Sequence, residues 1–212
     1  RIVPGLFIAQ HAGGGKAEQI FLRGFDIDHG TDINVTIDGL PVNMVSHAHG
    51  QGYADMHFVI PELVKNIDYG KGPYYASKGN FNTAGYADFQ TIDKPLANRF
   101  QLEGGRFNTG RALLVLDISP SGDDDYGYVA GEMNYTDGPF QSPQNFNRFN
   151  LYSKYSVKLS EKSRLHLLAS SFRSKWDASG QIPDRAVQAG LISRWGAIDD
   201  TEGGATSRNN VS

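Results

Sequence analysis

The sequence predicts a mixed fold in two parts, an α+β region over residues 1–92 and long antiparallel β-strands over residues 93–212. Three observations carry this expectation. Short mixed elements punctuated by glycine fill the first part. From about Leu96 onward, apolar and polar residues alternate with period two. The composition, with 25 Gly and 10 Tyr in 212 residues, suits turns and strands better than helices.

In the first part, Ile33 to Ile37 alternates and runs into Asp38-Gly39, which predicts a strand entering a turn. Pro61 to Lys65 predicts a short helix with proline in its first turn. Asn66 to Tyr69 predicts another strand. Gly70, Gly72-Pro73, Gly79 and Gly85 then predict a long irregular stretch.

In the second part, Phe100 and Leu102 alternate with Arg99, Gln101 and Glu103. Ala112, Leu114, Leu116 and Ile118 share one face of the next strand. Val129, Met133 and Tyr135 oppose Tyr128, Glu132 and Asn134. Phe149, Leu151, Tyr155, Val157 and Leu159 oppose Asn150, Tyr152, Lys154, Ser156 and Lys158. Leu165, Leu167 and Ala169 continue the pattern, which drifts toward Phe172 and Trp176. About six such strands fit, each of about 9–13 residues, against a usual mode of about 5–6 and the about 9–11 needed to cross a bilayer. Compact turns at Pro120 to Asp125 and Ser160 to Ser163 alternate with longer stretches at Thr136 to Asn147 and Asp177 to Thr206. Tyr126, Tyr128, Phe146, Phe149 and Trp176 lie near strand ends, where an interfacial girdle would place aromatics. The alternation fits a membrane barrel and a soluble β-sandwich alike.

The bulk numbers exclude several classes. A net charge of -3 gives no sign of nucleic-acid binding. The absence of cysteine rules out a disulfide scaffold and thiolate metal sites. No apolar run reaches the length of a transmembrane helix, and no signal peptide is evident at Arg1-Ile2-Val3-Pro4-Gly5. A mean hydropathy of -0.41 is compatible with a barrel, which is apolar only on alternate residues.

Three segments of the first part carry a resemblance. Phe21-Leu22-Arg23-Gly24-Phe25, Ile37-Asp38-Gly39-Leu40-Pro41-Val42 and Ile67-Asp68-Tyr69-Gly70-Lys71-Gly72-Pro73 resemble the "I-R-G", "D-G-V-P" and "I-E-V-L-R-G-P" elements of the plug of TonB-dependent outer-membrane receptors. Lys71 replaces the usual arginine, and Gly79 and Ala84-Gly85 match the glycines that lead the plug into the barrel. Ser179 to Pro183 adds a less specific match. The resemblance implies a plug over residues 1–92 and the first strands of a transmembrane β-barrel over 93–212, with further sequence expected at both ends. It implies the outer membrane of a Gram-negative bacterium and energised uptake of a scarce substrate: a siderophore, cobalamin, a metal chelate or a glycan. TonB with ExbB and ExbD are the implied partners, acting through an N-terminal box absent from this sequence.

By position in that family, the loop before the "L-R-G" segment and the loop after the "D-G-L-P" turn reach substrate. Gln10, His11, Lys16, Asn43, His47, His49, Gln51, Tyr53 and Asp55 are therefore the expected substrate contacts, with Gly50 and Gly52 permitting close backbone approach. His47, His49, Asp55 and His57 also suggest a metal, since imidazole and carboxylate suit zinc, iron or copper. Their spacing matches no zinc signature, so no metal and no cofactor is expected. Glu18 is read as structural, and Arg23 and Lys71 as charges facing polar groups of the barrel wall. Gly13-Gly14-Gly15-Lys16 lacks the first glycine and the Ser/Thr of a phosphate loop. Asp123-Asp124-Asp125 reads as a solvated turn. No nucleophile–base constellation points to an enzyme. The alternative is a non-transporting binding or signalling receptor of the same architecture.

Overall fold

The computed structural model describes residues 4–9, 14–27, 31–48, 50–120, 124–177 and 182–196. The chain forms two compact units, one of residues 1–11 and 16–92, the other of residues 12–15 and 93–212.

The first unit opens with a three-stranded antiparallel sheet of β1 (Leu6–Ala9), β2 (Gln19–Leu22) and β3 (Phe25–Ile27). The "L-R-G" segment is not one strand. Arg23 and Gly24 take φ of 54° and 83°, and this left-handed pair folds β3 back onto β2 so that Leu22 faces Phe25. Arg23 is thus an exposed turn residue.

A second sheet follows, built from β4 (Ile33–Ile37), β5 (Leu40–Pro41), β6 (Val64–Lys71) and β7 (Gly85–Thr91), in the order β5-β4-β7-β6. The expected strand and its Asp38-Gly39 turn are present as β4 and the link to β5. The expected helix at Pro61 is a single 3-10 turn, Pro61–Leu63, that runs directly into β6. The expected irregular stretch is shorter than the glycines suggested, because Gly70 lies inside β6 and Gly85 begins β7. β7 pairs parallel with β4 and antiparallel with β6, so it is an inner strand. The Asp38 carboxylate accepts bonds from the Thr91 N–H and hydroxyl, which locks the end of β4 to β7. Ile20, Leu22, Ile33, Val35, Ala54, Ala84 and Ala87 form the core between these elements.

The second unit is an antiparallel meander of β8 (Arg99–Gly105), β9 (Thr109–Asp117), β10 (Tyr126–Thr136), β11 (Phe146–Ser160) and β12 (Ser163–Lys175). Five strands are present among the described residues. The stretch after Asp177 holds the short helix α1 (Asp184–Gln188), and residues 197–212 lie outside the described set. The register settles the faces. Leu114 pairs with Phe100, Met133 with Ala112 and Phe149, and Leu167 with Tyr155, so the expected apolar residues share one side of the sheet. Phe100, Leu114, Met133, Phe149, Leu151 and Leu167 are exposed there. The opposite side carries Glu132, Asn150, Lys154 and Ser156, all buried.

This alternation corrects the expected aromatic girdle. Tyr128 and Phe146 are buried, and Tyr128 stacks with Tyr152 on the polar side at 6.1 Å. Tyr126 has the same parity as Tyr128, whereas Phe149 faces the apolar side. Trp176 follows β12, and Phe172 lies opposite Asn150 on the polar side. The apparent drift after Ala169 is therefore a change of residue type on an unbroken alternation.

Candidate functional site

The loop from Val42 to Ile60 is fastened to β4 by one side chain. Asn43 is 7% exposed; its Oδ1 accepts from Val35 N at 2.7 Å, and its Nδ2 donates to the carbonyls of Ile33 and Gly52, each at 3.0 Å. An amide spent in this way is a fastener for the backbone. Among the expected contact residues, Asn43 therefore takes a framework place. Beyond it the chain closes on itself: Met44 N donates to Tyr53 O at 2.9 Å and Gly52 N to Met44 O at 2.7 Å. Gly52 has φ 77°, and a Cβ there would meet Phe81 at 2.9 Å and Thr31 Cα at 3.0 Å. Its small size is required by packing inside the unit.

The closed loop presents its tip. His47 stacks on Tyr53 with ring centroids 4.0 Å apart, and the Tyr53 hydroxyl accepts from Ala17 N at 3.3 Å. Lys16, His47 and Tyr53 are half-buried and Gln51 is exposed. Met44 and Val45 are also exposed, Val45 at 77%. These two were not among the expected contacts, because a Met-Val pair reads as core when its burial is unknown. Gln10, His11 and His49 lie outside the described residues. Gly14, next to them in sequence, donates its N–H to Gln144 Oε1 at 3.1 Å, and Gly15 lies directly against the Trp176 ring, where a Cβ could not fit.

The histidines and acids divide into two groups. His47 belongs with Tyr53. Asp55 belongs with His57, accepting from both its backbone N at 2.8 Å and its ring Nδ1 at 2.7 Å. On the far side of the ring, His57 Nε2 is 3.7 Å from Glu18 Oε1. Glu18, Asp55 and His57 thus offer ligand atoms within 4.8 Å of one another. Glu18 enters because it immediately precedes β2, a placement that only the fold reveals.

Two further polar clusters are framework. In the first unit, the Tyr86 hydroxyl donates to Asp68 at 3.1 Å and Lys78 sits 4.2 Å from the Tyr86 ring centre. Burial, then the hydrogen bond to Asp68, pushes the Tyr86 phenol above its ordinary value. In the second unit, Glu132 is 0% exposed at its side chain and pairs with Arg111 at 2.6 Å, Arg148 at 2.9 Å and Asn150 Nδ2 at 2.9 Å. Asp124 and Asp125 tie the turn before β10 to Lys158, and Asp123 lies outside the described residues.

Residues 1–86 match the TonB-dependent receptor plug domain family. The whole chain is similar in fold to the pyoverdine outer membrane receptor FpvA of Pseudomonas aeruginosa PAO1, at TM-score 0.61 and 17% identity, over 99% of this chain and 27% of that one. It is also similar to the ferric-catecholate import receptor Fiu of E. coli K12, at TM-score 0.61 and 18% identity, over 98% of this chain and 29% of that one. The copper transporter OprC matches at TM-score 0.64 and 18% identity, over 84% of this chain and 28% of that one. The chain thus spans less than a third of the length of each of these proteins.

Proposed function

Residues 1–86 are a TonB-dependent receptor plug domain and the strands after them have the fold of such receptors' barrels; from that premise we propose energised uptake of a scarce substrate across the outer membrane. The observation that carries the reading is the polarity of the second unit. Its exposed face is apolar and its buried face holds a carboxylate, guanidinium groups and amides. In water that arrangement would expose a broad apolar surface; in a bilayer it satisfies both faces.

The protein belongs, on this reading, to the outer membrane of a Gram-negative bacterium, with residues 1–92 acting as the plug and 93–212 as the first barrel strands. TonB with ExbB and ExbD supply the energy. The substrate is a small-molecule or oligomeric ligand of the siderophore, cobalamin, metal-chelate or glycan class. Lys16, His47, Gln51 and Tyr53 contact it, together with Gln10, His11 and His49. The stacked His47–Tyr53 pair offers a flat face with polar edges, and Met44 and Val45 add apolar surface beside it. The protein is proposed to carry out no chemistry on its substrate. Uptake by cells bearing the intact protein, compared with and without TonB, tests the reading. Loss of uptake in the TonB-deleted strain is expected, and equal uptake in both strains would overturn it.

A further inference from the structure

The geometry points to a divalent transition-metal site formed by His57 and Glu18, with Asp55 as the residue that orients the imidazole. Three observations converge on it. First, Asp55 Oδ1 lies 2.7 Å from His57 Nδ1, so the carboxylate accepts a hydrogen bond from Nδ1–H. That fixes the tautomer whose lone pair lies on Nε2, the arrangement by which carboxylates orient histidine ligands. Second, Nε2 faces Glu18 Oε1 at 3.7 Å. This exceeds the ~2.7–3.2 Å of a hydrogen bond. Two bonds of ~2.0–2.2 Å to a tetrahedral metal span about 3.3–3.6 Å, so a closing movement of a few tenths of an ångström would bring both atoms to one ion.

Third, burial is graded. His57 is 7% exposed, while Glu18 and Asp55 are 27% and 25% exposed. The imidazole is buried, while both carboxylates are partly open to solvent. Two carboxylates around one neutral imidazole also concentrate negative charge, which a divalent cation neutralises. A mixed nitrogen and oxygen set of this kind suits zinc and its first-row neighbours better than calcium or magnesium. Two protein ligands leave further coordination positions for water or for donor atoms of another molecule. The ion would join the loop after β5 to the start of β2. A proton is the competing occupant, since protonation at Nε2 gives an imidazolium that pairs with Glu18.

The site is independent of transport, because zinc binding requires no substrate and no motor. The test is calorimetric titration of Zn²⁺ into the intact, chelator-stripped protein and its Glu18→Gln, Asp55→Asn and His57→Gln variants. Saturable micromolar binding is expected, weakened about tenfold or more in Glu18→Gln and His57→Gln, and about 10–100-fold in Asp55→Asn. Melting temperatures of the stripped variants identify any that fail to fold; Glu18→Gln, altered at a partly exposed position, then decides the matter. Zn²⁺ binding of equal strength in the protein and in folded Glu18→Gln would overturn the proposal, as would the absence of saturable binding.

Discussion

The plug sheet and the barrel meander bury opposite kinds of side chain. In the plug, β4 buries Ile33, Val35 and Ile37 and the unit closes around an apolar core. In the meander, Leu114, Met133 and Phe149 point outward and Glu132, Asn150 and Ser156 are buried. The meander keeps two unlike faces, whereas β4 buries Asn34 between its apolar residues and β7, paired on both sides, buries Gly85, Tyr86 and Ala87 in succession. The difference teaches that alternation reports a strand with two unlike faces, and that the surrounding medium decides which face is hidden.

The largest effect should come from the buried carboxylate. Replacing Glu132 with Leu removes the buried carboxylate that Arg111 and Arg148 share, although Arg111 keeps its pair with Glu103. A cost of about 3–5 kcal/mol is expected, read as a lower urea midpoint for unfolding from lipid vesicles. Met133→Leu, one residue away on the opposite face, should leave that midpoint nearly unchanged; an equal loss in both would abolish the contrast between the faces. In the plug the contrast inverts, since Leu22 is 1% exposed in the core. Leu22→Ala should destabilise that unit by about 2–5 kcal/mol, seen as faster proteolysis of the plug with the barrel still resistant.

Leu114 lies midway along β9 on the apolar face. Leu114→Arg should cost about 2–4 kcal/mol of folding free energy in a bilayer. A negligible cost there would argue that this face does not meet lipid. Asn43→Ala separates framework from contact. With three bonds to the backbone lost, about 1–3 kcal/mol of stability should go, visible as accelerated amide exchange at Val35, whose N–H donates to the Asn43 side chain. Unchanged exchange with weaker substrate binding would return Asn43 to the contact set.

The smallest effect is on pH. The Tyr86 phenol is raised by burial and by its bond to Asp68. A raised folded value means that its contribution is complete below the ordinary tyrosine value of about 10 and is lost as pH climbs through the folded one. Plug stability should therefore fall more steeply above about pH 10 in the protein than in Tyr86→Phe. Parallel curves for the two would remove Tyr86 from the account.

Much of this architecture is readable from local pattern. Ile33 to Gly39 gives a strand and its turn, because alternation and a left-handed dipeptide are both local properties. The faces of β9 to β12 follow in the same way, since each side chain's side is set by parity alone. Where residue type and environment disagree, sequence misleads. β7 escapes notice because Gly85, Ala87 and Asp88 are poor strand formers, yet pairing with β4 and β6 on both sides holds them extended. Tyr128 resembles an interfacial aromatic until its parity places it among polar groups.

The sequence by itself determined the two-part organisation, the strand periodicity and the plug resemblance, because each rests on short-range pattern. Only the tertiary structure decided which polar residues pair with one another. It spent the amide of Asn43 on the backbone, drew His47 to Tyr53, and brought Glu18 to His57 across 39 positions of chain. Such pairings depend on loop closure and sheet packing, which no local window of sequence encodes.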